Sequence, residues 1–100
     1  SSSLNKFFNS VKLKSLFADN ISLIDWEIEA KGIKEVIEVN KKIFNSTESI
    51  DVTLINMYQD KLVVTCLIDI LINKIEKLKV VDIIKFNEDK KIEEILAFKQ

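Results

Sequence analysis

Apolar and polar positions along the chain change period several times, and each change marks an element. At the N-terminus Leu4, Phe7 and Phe8 are followed by Val11, Leu13, Leu16 and Phe17. That spacing predicts two short helices with a break near residues 9–10. Over residues 20–28, NISLIDWEI, the period falls to two, which predicts a strand. Ile21, Leu23 and Asp25 would point one way, and Ser22, Ile24 and Trp26 the other. Gly32 then opens a helix with the apolar stripe Ile33, Val36, Ile37, Ile43 and Phe44. Lys34, Glu35, Glu38, Lys41 and Lys42 form its wet face, with pairs at i,i+4 spacing. Asn40 falls on the apolar side of that helix.

After Ser46 the runs ESIDVTLINMY, KLVVTCLIDILI, KLKVVDIIKF and KIEEILAFK read as four strands. Gln59–Asp60, residues 73–76 and residues 87–90 punctuate them, which predicts a meander of hairpins. The expected fold class is α+β, in one domain over residues 1–100. About three helices would pack on one face of a curved antiparallel sheet.

The strand beginning at Leu62 is apolar on both faces. Val63, Leu67 and Leu71 lie on one side, and Val64, Cys66, Ile68, Ile70 and Ile72 on the other. Helices can cover only one side, so the outer face is expected to meet a second copy in a twofold homodimer. Cys66 is expected on that interface side.

Composition then removes whole classes of chemistry. All fifteen basic residues are lysine, set against sixteen acidic ones, and histidine is absent. There is no arginine fork for phosphate and no basic footprint for nucleic acid or an anionic membrane. Histidine triads and most zinc sites are excluded. With one glycine and no proline there is no glycine-rich phosphate loop. One cysteine precludes an internal disulfide. The longest apolar stretch, residues 62–72, carries Asp69 and is too short for a membrane-spanning helix. With no signal-peptide pattern in SSSLNKFF, a cytoplasmic location is expected.

What remains for chemistry is carboxylates on apolar strands. Asp25 follows Ile21 and Leu23, Asp69 sits between Leu67 and Leu71, and Asp82 lies among Leu78, Val80, Ile84 and Phe86. If the hairpin pairs Leu67 with Asp82, then Asp69 and Asp82 share a face. A carboxyl there would be held protonated by desolvation and a like charge, able to donate while a better-solvated neighbour accepts.

The segments SLFADNISLIDW, AKGIKEVIE and VVDIIKFNEDKKIEEILAFKQ resemble the nuclear transport factor 2-like superfamily, in its SnoaL-like and ketosteroid isomerase-like branch. The resemblance runs through nearly the whole chain and implies a cone-shaped fold with an apolar pocket between sheet and helices. It implies Asp25 as general base and Asp82 as a protonated oxyanion donor, the two roles known in ketosteroid isomerase. Asp69, Asn40, Phe17, Leu67, Leu78, Val80 and Ile95 would line the ligand pocket, and Lys99 matches a position at its end. Several positions depart from the isomerases. Phe17 and Asn40 stand where supporting tyrosines are found, Asp69 replaces a pocket aromatic, and Lys90 replaces a turn glycine. The tyrosine completing the oxyanion hole would fall at or before Ser1. The expected function is therefore binding of a small apolar ligand, as an isomerase, dehydratase or cyclase needing no cofactor or metal. The alternative is a non-catalytic ligand-binding or dimeric assembly module with a vestigial pocket.

Overall fold

A computed structural model describes residues 15–100. The two expected N-terminal helices lie outside the described residues, except at their end. There Ser15 and Leu16 are helical, and the chain passes straight into strand β1, Phe17–Ile24. Phe17 is thus the first residue of a strand, not the last of a helix. Lys91 ties this entry down, its Nζ donating to the Ser15 carbonyl at 2.6 Å. A short strand β2, Glu29–Lys31, follows, then helix α1, Ile33–Ser46. Four long strands complete the chain: β3 Ile50–Asp60, β4 Val63–Ile72, β5 Glu76–Phe86 and β6 Ile92–Lys99. The described residues thus form an α+β fold with one full helix; the expected count of about three is not reached within them.

The strands form one sheet in the order β2-β1-β6-β5-β4-β3. The meander from β3 to β6 is antiparallel throughout, whereas β1 runs parallel to β6 and closes the order with β2 as a hairpin. Shifts of register at Leu54/Asn56 and Lys85/Phe86 are bulges, which bend the long strands.

Helix α1 packs chiefly on the β1–β2 end. Phe17, Ile21, Ala30 and Val36 form the buried cluster, with Leu23, Ile33, Ile37, Ile92 and Ile95 around it. Ile21, Val36 and Val80 are the largest fully buried side chains, each contributing about 1.5–3 kcal/mol through its apolar area. Gly32 makes the sharp entry to α1 possible. Its φ of 88° is open to glycine, and its N–H donates to the Ile21 carbonyl at 2.7 Å, stitching the helix start to β1.

The turns carry side chains in the left-handed region where glycine would be freer. Lys61, Asn73, Lys74 and Lys90 all have φ between 52° and 62°. Lys90 therefore takes the turn conformation for which the resemblance expects glycine. Asn73 is held in place twice over: its N–H donates to the Ser49 carbonyl, and its Oδ1 accepts from the N–H groups of Glu48 and Ser49. The β4–β5 turn thereby anchors the loop leading out of α1.

No helix of the described residues is long and apolar enough to cross a membrane.

Candidate carboxylate site on the helix side of the sheet

Register decides which side chains share a face. Cys66 of β4 stands opposite Asp82 of β5, and Asp82 stands opposite Ala97 of β6. On β1 the last paired residue is Ile24, level with Leu96, and Asp25 follows it just past the strand end, near enough for its charge to act on Asp82. On the far side Met57 of β3 faces Cys66. One row thus crosses the sheet as Ala97, Asp82, Cys66 and Met57, with Asp25 just past the end of the neighbouring strand β1. It lies on the face that carries Ile21, Ala30, Ile68 and Val80, the face covered by α1. Ala97 stands between Asp82 and strand β1, at whose end Asp25 lies.

The two acids have different surroundings. Asp25 sits just past the end of β1, and its Oδ1 accepts from the N–H of Glu27 at 2.8 Å and of Ile28 at 2.6 Å. Its own N–H donates to the Ile28 carbonyl, so it both builds the β1–β2 turn and is fixed by it. Its Oδ2 is left without a bond to any described residue. Asp82 is half-buried in mid-strand and has no hydrogen-bond partner among the described residues. Burial first, and the charge of Asp25 second, push its carboxyl up to about 6. Cys66 is the other polar group in the row; burial and the charge of Asp82 hold its thiol above the usual range, so it is not a reactive thiolate.

Asp69 is not part of this row. The β4–β5 register differs by one residue from the expected one, pairing Leu67 with Val81 and Asp69 with Lys79. One residue of slip turns every side chain over. Asp69 and Leu67 therefore lie on the outer face, where Asp69 borders a shallow groove with Asp51, Thr53, Lys77 and Lys79. Cys66 moves the opposite way, from the expected interface side to the helix side. Leu78 and Val80 do share the face of Asp82, Val80 fully buried. Ile95 is on that face too, but packs with the α1 core, as does Phe17 at the opposite end of β1 from Asp25. Asn40 turns back on its own helix, its Nδ2 donating to the Val36 carbonyl at 3.1 Å.

Trp26 escapes strand alternation because β1 has already ended at Ile24. Its ring lies beneath the Lys99 ammonium, 5.5 Å from Nζ to the ring centre. Lys99 stands opposite Val80, on the same face as Asp82 and one row further along. Ala97, Trp26 and the true face of Cys66 were the parts of this site not expected from sequence. Ala97 alone had a signal, a small residue in the apolar run ILAF. No group of three or more metal-binding side chains is gathered among the described residues.

No protein-family model and no curated protein matches the sequence. Solved structures do match. A proposed SnoaL-like polyketide cyclase from Shewanella denitrificans superposes with a TM-score of 0.83 at 11% identity, covering 95% of this chain and 83% of its own. A nuclear transport factor 2-like protein of unknown function from Cytophaga hutchinsonii reaches 0.77 at 19% identity, covering 99% and 95%. A proposed ketosteroid isomerase from Kribbella flavida reaches 0.76 at 12%, covering 99% and 76%. Likeness at such low identity is a likeness of fold, and the fold hosts many chemistries. The α+β sheet order, the helix on one face and these superpositions together identify the chain as having the nuclear transport factor 2-like fold.

Proposed function

We propose that the protein binds a compact, largely apolar carbonyl compound against the helix side of the sheet and moves a proton on it. The observation that carries this reading is the half-buried Asp82 beside Ala97, with Asp25 at the end of the next strand but one and close enough for its charge to act on Asp82. Asp25, whose carboxylate is braced by two backbone N–H groups, takes the proton from the carbon beside the carbonyl. Asp82, with its carboxyl pushed up to about 6, donates a hydrogen bond to the oxygen as charge builds there. The proton returns from Asp25 to the same or a neighbouring carbon, which gives exchange, isomerisation or the first step of dehydration or cyclisation. The chain's own residues suffice for each of these steps.

The test is solvent deuterium incorporation into an enolisable cyclic ketone, 2-tetralone, followed by proton NMR at pH 5. The protein accelerates exchange over buffer, and Asp25→Asn removes the acceleration with the circular dichroism spectrum unchanged. Exchange at the buffer rate in the unaltered protein removes the catalytic reading.

A second reading, an assembly module with a vestigial pocket, is favoured by the outer face. Ile24, Leu67, Leu96 and Phe98 share it by register, and Phe98 is 57% exposed. A second copy is the proposed cover for this face, in either reading.

A further inference from the structure

Lys99 has an unusual place for a lysine near two aspartates. By register it projects from the same face as Asp82, two residues beyond Ala97, about 7 Å along β6. Among the described residues no carboxylate lies within ion-pair distance of it; its ammonium rests on the Trp26 ring instead. Trp26 in turn is fixed by the turn that Asp25 builds, through the bonds from Glu27 and Ile28 to Oδ1. The Lys99 cation is therefore held at the edge of the carboxylate row and stays available to an anion. A ring face that holds an ammonium leaves its other N–H donors outward.

We infer that the Lys99–Trp26 pair is an anion anchor, and that the ligand of this site is an organic carboxylate. The carboxylate would lie against Lys99 with the apolar body running over Ala97 toward Cys66 and Met57. A single ammonium with no arginine beside it suits one negative charge and not a phosphate dianion. The two aspartates one row away oppose a second charge in the same way. This inference rests on the proposed site and narrows its substrate class to keto acids and related carbonyl carboxylates.

The chain has one tryptophan, so a single indole N–H signal reports the anchor directly. The probes are cyclohexylacetate and its neutral isostere cyclohexylacetamide, titrated while that signal is followed by nitrogen–proton NMR. The anion binds more tightly than the amide by about fivefold at low salt, the scale of one exposed charge pair. Lys99→Met removes the preference without weakening the amide, and Lys99→Arg restores it. A preference that survives Lys99→Met, equal weakening of both probes, or no shift with either probe at 10 mM overturns the anchor. The underlying site fails separately: Asp25→Asn leaves the carboxylate preference in place whatever it does to proton exchange.

Discussion

Asp82 stands opposite Cys66, not Leu67, across the β4–β5 ladder. That pairing places an acid and a thiol side by side on the helix-covered face and sends Asp69 to the other side. The Asp82 carboxyl is raised to about 6 in the folded protein, from 3.8 as the ordinary value. Between those values the folded protein holds a proton that the unfolded chain has released. The contribution is fully present below about pH 4, falls as pH rises to about 6, and is flat above that. The charged groups near Asp82 on this face are Asp25 and Lys99, with the Cys66 thiol beside them. Asp82→Asn should therefore stabilise the protein at pH 7 by on the order of 1–2 kcal/mol, after allowance for partial solvent screening. The gain should disappear by pH 4. Urea unfolding at the two pH values measures it, and an equal effect at both would contradict the assignment.

Proton exchange on a carbonyl probe should depend on the same group. Asp82 donates only while protonated, so the rate falls as pH rises through about 6. Asp82→Asn keeps a donor that does not titrate, and its rate loses that alkaline limb while falling about tenfold or more at pH 5. Asp25→Asn is the complementary change. An asparagine Oδ1 still accepts the N–H groups of Glu27 and Ile28, so the turn persists while the base is gone. Rate–pH profiles of the three proteins with 2-tetralone distinguish the roles. A profile that is flat from pH 4 to 8 in the unaltered protein would refute the proposed donor.

Ala97 gives a test of geometry that leaves both acids in place. It stands opposite Asp82 on β6, the strand between β5 and β1, at whose end Asp25 lies. Ala97→Leu adds bulk beside Asp82, and a shift of 1 Å at a reacting centre costs about 100-fold. Exchange on the ketone should drop by at least that factor, while the amide of Gln100, whose N–H donates to the Lys79 carbonyl at the strand end, continues to resist hydrogen exchange. Unchanged turnover would mean that the ligand does not lie over Ala97.

Much of this arrangement was legible in the sequence, and the failures have local causes. The four strands after Ser46 declared themselves by alternation and turn residues, and α1 by its stripe. The pairing of Asp25 with Asp82 came from family resemblance and the parity of each strand. The error over Asp69 arose at one turn. The tip at Asn73, Lys74 and Ile75 holds three residues between Ile72 and Glu76, and a different count turns the strand over. Strands apolar on both faces carry no pattern that would have corrected it. Trp26 misled for a related reason, since alternation holds only inside a strand and β1 stops two residues earlier. The three-residue β2 is too short to show any period.

The same β4–β5 turn makes two substitutions of opposite sign a check on its geometry. Lys74, at φ 61°, gains from glycine, so Lys74→Gly should stabilise by about 0.5–1 kcal/mol. Asn73 also has positive φ but spends its side chain on Glu48 and Ser49. Asn73→Ala should cost about 1–2 kcal/mol through the two unanswered backbone donors. Thermal unfolding followed by circular dichroism compares the two directly; a loss on Lys74→Gly would mean that the turn is built differently.

The outer face supplies the last prediction. By register Ile24 lies level with Leu96, Leu96 faces Ile83, and Val81 links Leu67 to Phe98, so one apolar patch spans β1 to β4. Glu94, Lys85, Lys79 and Asp69 border it, both signs of charge present, as suits a self-complementary twofold surface. Leu67 forms the β4 end of the patch and is 38% exposed, so a lysine there disturbs the patch and not the folded core. Light scattering at low micromolar concentration should give twice the mass of one 11.5 kDa chain. Leu67→Lys should halve that mass while leaving the Asp82 titration in place, because Leu67 and Asp82 lie on opposite faces of the sheet. A monomer mass for the unaltered protein would leave the patch open to a different partner and end the homodimer proposal.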